Sequence, residues 1–224
     1  MSDIAVEYSQ HRSGLAVTRG NASGRLARIF KRILDVVVAA ALLLILAPLL
    51  CLIAILVRVS SPGPTIYPRR VLGVAGSEFY AFKFRTMVSD ADRVLTADSD
   101  LGRRFNENMK LRSDPRVTPV GRFLRRLSFD ELPQLFNVLR GEMSLVGPRM
   151  IAPEEASRYG AALGRRSSVR PGITGLWQIS GRQEVDYDTR IALDLKYIDN
   201  WSLWLDLVIL LKTIPAVLST RGAY

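Results

Sequence analysis

VVVAAALLLILAPLLCLIAILV, the stretch from Val36 to Val57, contains no charged residue. Its length is about the 20 residues that one helix needs to cross the hydrocarbon of a bilayer. It is too long for the apolar core of a cleavable signal peptide, and no small-residue cleavage site follows closely. Pro48 stands near its middle, where the ring and the missing N–H bend or break a helix. Both flanks are basic: Arg25, Arg28, Lys31 and Arg32 precede the stretch, and Arg58, Arg69 and Arg70 follow it. Positive charge is kept on the cytoplasmic side, so a straight span would carry one cluster to the wrong face. The expectation is a re-entrant helix that enters the membrane, breaks at Ala47-Pro48 and leaves on the same side. A kinked span and a buried core helix are the alternatives. The re-entrant topology places Met1 and Tyr224 together in the cytoplasm. Asp35 offsets the helix dipole and is spaced to pair with Arg32 or Lys31.

Outward from this segment, the chain of 224 residues has 31 Lys+Arg against 21 Asp+Glu, a formal charge of +10. That balance points to an anionic partner: anionic lipid, a phosphorylated substrate or nucleic acid. Nucleic acid is the weakest of these, because its binders interleave aromatic and basic residues and only one short strand here does so. A single cysteine, Cys51, excludes an intramolecular disulfide and a cysteine-based zinc site. The single histidine, His11, excludes a His-dependent triad and a multi-His metal site.

Residues 1–28 are polar and unpatterned and read as a disordered tail. Residues 29–58 hold the membrane helix, and residues 59–224 a cytoplasmic domain. After a turn at Ser60 to Pro64, two short strands are predicted over Thr65 to Leu72 and Glu78 to Thr86. In the second, Tyr80, Phe82 and Phe84 alternate with Ala81, Lys83 and Arg85, giving an aromatic and a basic face. A polar helix is expected over Ser89 to about Lys110, and another through Phe136 to Leu139, starting near Ser128. Arg170 to Gly175 reads as a rigid loop, Tyr187 to Asn200 as a helix. The last helix, opened by Trp201 and Trp204, reads as an interfacial amphipathic helix.

Between these elements lies LRRLSFDELPQLFNVLRGEMSLVGPR, Leu124 to Arg149. It sets adjacent carboxylates, Asp130 and Glu131, among Arg125, Arg126, Arg140 and Arg149. Ser128 and Glu131 also fit a capping box, a purely structural use of the same residues. Against that use, Pro133 follows early enough to forfeit a helical hydrogen bond, and the cap has more positive charge around it than it needs. Gly147-Pro148-Arg149 and Arg170-Pro171-Gly172 are stiff turns that each present an arginine. Carboxylate attack on phosphate is opposed by charge, which Mg²⁺ and guanidinium groups remove. An aspartate can then act as a covalent nucleophile.

These motifs together resemble the bacterial sugar transferase family, in its small monotopic class of polyprenyl-phosphate phosphoglycosyl transferases. The likeness rests on Lys31-Arg32 before a segment broken at Pro48, on KFRTM (Lys83 to Met87) and on Leu124 to Arg149. RPGITGLWQISGR (Arg170 to Arg182) and Asp194 to Trp204 complete it. KTIPAV and RGAY near the C-terminus resemble the ExoY-like branch, which initiates exopolysaccharide assembly. The resemblance implies a membrane-associated α/β fold, with a re-entrant helix and a small, mainly helical catalytic domain. It implies transfer of galactose or glucose 1-phosphate from a UDP-sugar to undecaprenyl phosphate, with release of UMP. Asp130 would be the nucleophile and Glu131 its metal-site or acid–base partner, both near Mg²⁺. Arg125 and Arg149 would hold phosphates, and Arg170 would lie near the nucleotide. The implied location is the cytoplasmic face of the bacterial inner membrane, among its lipids, with a homodimer allowed. Three positions depart from the family: Ala47 where some members have serine, Val71 where arginine is frequent, and Met150 where proline is usual. Arg70 is the expected substitute for the missing arginine, and Met150 is expected to loosen the turn that carries Arg149.

Two other readings use the same residues. A membrane-tethered basic lipid-binding or scaffold protein needs only the charge. A membrane phosphatase or pyrophosphatase needs the carboxylates but releases inorganic phosphate.

Overall fold

A computed structural model of the chain describes residues 22–97, 103, 114–181 and 185–219. The expected tail up to residue 21, most of the Ser89–Lys110 helix and the C-terminal RGAY lie outside the described residues. The architecture is mainly helical with short strands, as expected. Helix α1 covers Ala22–Ser60, so it begins inside the stretch read as tail. Pro48 lies inside α1, which is one helical element across the expected break at Ala47-Pro48. α1 is long and apolar enough to cross a membrane. Leu44, Ile45, Leu52 and Ile55 on it are exposed.

Strands β1 (Ile66–Leu72) and β2 (Glu78–Phe84) form an antiparallel hairpin in which Ile66 faces Phe84 and Leu72 faces Glu78. A polar helix α2 is described over Ala91–Ala97. Helix α3, Pro119–Arg126, starts where Thr118 accepts from the Gly121 N–H at 2.9 Å and Pro119 occupies the first turn. A 3-10 turn over Phe129–Glu131 leads into α4, Gln134–Arg140. Gly141, at φ +83°, ends α4 in the left-handed conformation that glycine adopts without strain. The side chain of Asn137 on α4 accepts from Phe82 N–H (2.9 Å) and donates to Tyr80 C=O (2.8 Å), which locks α4 onto the outer edge of β2.

Arg170 to Gly175 is not a loop. Gly172–Thr174 is strand β4, parallel to β3 at Ser144–Val146. A Cβ on Gly172 would stand 2.1 Å from the Gly147 nitrogen, so the motif's glycine serves close backbone approach. Helices α5 (Tyr187–Asp199) and α6 (Leu203–Leu218) follow, capped by Asp186 and Ser202. Trp204, Leu207, Leu211, Ile214 and Leu218, spaced by threes and fours, form an exposed apolar stripe on α6.

The hydrophobic core runs through α1. Ala39 packs with Val71, Ala81, Val138, Met143 and Ile209, while Ile53 and Val57 pack with Phe84 and Leu124. Polar bonds reinforce both ends of the helix. Lys31 Nζ meets Asp206 Oδ2 at 2.7 Å, and Arg32 donates to the Val138 carbonyl at 2.8 Å. Asp35 does not pair with Lys31 or Arg32. It accepts from Ser144 Oγ (2.8 Å) and the Leu145 N–H (3.0 Å). At the other end Arg85 donates to the carbonyls of Ser61 (2.6 Å) and Pro62 (2.8 Å), tying β2 to the exit of α1.

Candidate active site

The turn between α3 and α4 presents the two carboxylates. Ser128 does not form the expected capping box: it adopts φ +57° and makes no side-chain cap bond. Its left-handed backbone instead turns the chain sharply into the 3-10 turn, at a cost that non-glycine residues bear at special sites. Asp130 is 9% exposed. Burial raises its carboxyl above the usual range, and neighbouring Glu131 adds to this, while Lys83, Arg125 and Arg149 pull it down. Glu131 takes the opposite course. Burial works against its charge, but Lys83 and Arg149 outweigh it and hold the carboxyl at about 2. Lys83 Nζ stands 2.6 Å from Glu131 Oε1, and Arg149 Nη2 stands 3.4 Å from the same oxygen. The pair therefore holds one firmly ionised acid and one whose ionisation is resisted, the separation expected where two carboxyls do different work.

Lys83, on the face of β2 expected to be basic, reaches the carboxylates, while Arg85 of that face turns to the exit of α1. Arg69, across the hairpin on β1, also lowers Glu131 and contacts Glu155 at 3.2 Å. Arg125 donates from Nε to Thr86 Oγ1 at 2.9 Å, which fixes it beside Asp130. Thr86 is in turn anchored, since its carbonyl accepts from the Thr118 N–H at 3.0 Å.

Arg149 is held by its backbone. Its N–H points to Asp194 Oδ1 (3.4 Å), and its carbonyl accepts from Arg166 Nη2 (2.7 Å). Arg166 is fully buried, as is Asp194, which also accepts from Tyr159 Oη at 2.9 Å. Burial pushes the Asp194 carboxyl up to about 6. Met150 does not loosen this turn: it is 2% exposed and packs in the core.

Two arginines expected at the site are not brought to the carboxylates. Arg170 Nε caps α4 by donating to the Gly141 carbonyl at 2.7 Å, at the opposite end of that helix from Asp130. Arg70 does not replace a missing arginine in the site, because it faces Glu78 and Glu154 on the surface. Arg69 is the hairpin arginine that reaches the site, while Val71 is core. Among the described residues no group of three or more His, Cys, Asp or Glu gathers as a metal cluster.

A buried acid, an ionised partner and guanidinium groups around them suit chemistry on a phosphate. Comparison with known proteins gives the class: the bacterial sugar transferase model matches residues 26–220, and the chain belongs to that family. It is of the ExoY type. Over 198 residues it is 49% identical to the exopolysaccharide production protein ExoY of Rhizobium meliloti (strain 1021), covering 87% of this chain and 88% of the relative. It is 44% identical over 227 residues to an undecaprenyl-phosphate galactose phosphotransferase of Salmonella typhimurium, spanning all of this chain and 47% of that longer protein. A UDP-glucose:undecaprenyl-phosphate glucose-1-phosphate transferase of Caulobacter vibrioides is 45% identical over 202 residues, 87% of this chain and 72% of the relative.

Proposed function

We propose that this chain is a phosphoglycosyl transferase that moves a sugar 1-phosphate from a UDP-sugar to undecaprenyl phosphate, releasing UMP, as the first step of exopolysaccharide repeat-unit synthesis. The observation that carries the reading is Asp130, buried beside ionised Glu131 and within the fields of Lys83, Arg125 and Arg149. The relatives named for galactose and for glucose transfer make those two the candidate sugars.

In the proposed first step, an Asp130 carboxylate oxygen attacks the sugar-bearing phosphorus. A new O–P bond forms, the bridging P–O bond breaks, and its electron pair leaves with UMP. Arg125 and Arg149 hold the phosphate oxygens, and Lys83 helps keep Asp130 ionised. In the second step, an oxygen of undecaprenyl phosphate attacks the same phosphorus and frees the carboxylate. The acyl phosphate between the steps is the aspartyl-phosphosugar intermediate.

The carboxylates fit Mg²⁺, which takes hard oxygens and leaves its remaining positions to water and substrate phosphates. Asp130 and Glu131 would hold it, Glu131 through Oε2, since Lys83 and Arg149 both engage Oε1. When bound, the ion supplies further charge neutralisation of the diphosphate.

The re-entrant topology is part of the proposal. Arg32 near one end of α1 and Val57 near the other bond to α4 and to the end of β2, and Asn137 joins those two elements. On this reading both basic flanks would stand on the side that carries Asp130, the cytoplasmic face of the inner membrane, and the exposed apolar side chains in the middle of α1 would face lipid.

The test is UMP release from UDP-galactose and UDP-glucose with undecaprenyl phosphate and Mg²⁺. Asp130→Asn should abolish release and lose the sugar label that wild-type protein retains without acceptor. Release at an unchanged rate in that variant would remove Asp130 from the nucleophile's role. Inorganic phosphate as the product would favour the phosphatase reading.

A further inference from the structure

Beyond Glu131, the site continues from Arg149 along a ladder of aromatic and guanidinium groups, of which the reaction above uses only Arg149. Arg149, which touches Glu131, also stands 5.3 Å from the centre of the Trp177 ring. Arg190 stands 4.6 Å from the centre of that same ring and 5.2 Å from that of Tyr187. Stacking occupies the faces of a guanidinium and leaves its in-plane N–H donors for a ligand. Arg190 has donors to give: its Nε is shielded from solvent and has no hydrogen-bond partner among the described residues. The indole Nε1 of Trp177, a residue 4% exposed, is likewise buried and unpartnered. Leaving a buried donor without an acceptor is unfavourable.

The acids around the ladder, Glu155 and Asp194, each serve more than one arginine. Glu155 is the acid nearest Arg190, at 3.9 Å, and it is shared with Arg69 at 3.2 Å. After burial, the nearby Arg149 guanidinium is the largest influence against the charge of Arg190. Two like charges on one ring with spare donors call for an anion carrying two adjacent charged groups, which is what a diphosphate offers.

We propose that Arg190, with the Trp177 indole N–H, forms the subsite for the leaving nucleotide's phosphate, while Arg149 holds the transferred one. This rests on the phosphoglycosyl transfer reading. Arg190 would then neutralise the charge that develops on UMP as the bridging bond breaks, and Trp177 would set the spacing between the two arginines.

The experiment uses the full chain in detergent with UMP as the probe, comparing wild type, Arg190→Gln and Arg190→Lys. Arg190→Gln should weaken UMP binding in equilibrium dialysis tenfold or more and raise the UMP inhibition constant equally, with Arg190→Lys in between. Transfer from pre-labelled protein to undecaprenyl phosphate should slow as well, because in-line attack brings the acceptor phosphate to the position UMP vacates. Unchanged UMP affinity in Arg190→Gln would overturn the subsite. A loss of UMP binding accompanied by a lowered melting temperature, with no partial recovery in Arg190→Lys, would also overturn it, since that is what loss of fold produces. If wild-type protein bound UMP through Arg190 yet released none from a UDP-sugar, the transferase reading would fail while the subsite stood.

Discussion

Arg166 donates a 2.7 Å hydrogen bond to the backbone carbonyl of Arg149, from a side chain with no exposed surface. A buried charge is thus spent on holding one loop residue whose guanidinium faces Glu131. Arg166→Met keeps most of the volume but strands the carbonyls of Arg149 and Leu72. We expect donor kcat/KM to fall about tenfold or more, since misplacing a phosphate-holding group is costly. Arg166→Lys, which retains a donor, should recover part of it. Steady-state UMP release against donor concentration measures both, and a loss confined to thermal stability would detach Arg166 from Arg149's placement.

The two carboxyls respond to pH through their neighbours. Attack requires ionised Asp130, whose carboxyl is raised, so donor kcat/KM should rise with pH through a limb above the ordinary carboxylate range. Lys83 favours the ionised form, and Lys83→Met should move this limb to higher pH. Glu131 disfavours it, and Glu131→Gln should move the limb to lower pH. Rates of sugar-phosphate labelling across pH read the limb even in slow variants. A limb that stayed in place in both would assign it to another group.

Lys31 and Asp206 form the bolt between α1 and α6, with side chains 17% and 4% exposed. Tyr197 Oη and Trp201 Nε1 also donate to Asp206, at 2.7 and 3.1 Å. Lys31→Met should therefore destabilise by roughly 1–3 kcal/mol, less than a fully buried pair whose remaining charge keeps no partner. Thermal melts of Lys31→Met, Asp206→Leu and the double variant give the coupling. Simple additivity would show that the pair does not act as a unit.

Local signals in the chain announced what is local in the structure. The apolar run of α1, the hairpin of alternating residues and the acid pair after Ser128 are each read within a few positions. The dyad's surroundings were less legible, because they are assembled across long separations. Lys83 reaches Glu131 over 48 positions, and Lys31 reaches Asp206 over 175. Arg170 looked like a ligand-holding arginine because a stiff turn presents it, but the direction of that turn depends on a parallel pairing of two three-residue strands. No periodicity announces strands that short. Ser128 failed as a cap for a related reason: the pattern specifies a residue type, whereas the backbone here needed a reversal.

Ala39, Ile53 and Val57 of α1 are buried against residues of the hairpin, α3 and α4. The apolar helix is therefore a wall of the catalytic unit and not a tether on it. A chain beginning after Ser60 would lose its side of the core. Asp206 would lose Lys31, and Ser144 and the Leu145 N–H would lose Asp35. Removing the apolar helix therefore removes packing from the fold that carries the site, and not an anchor alone.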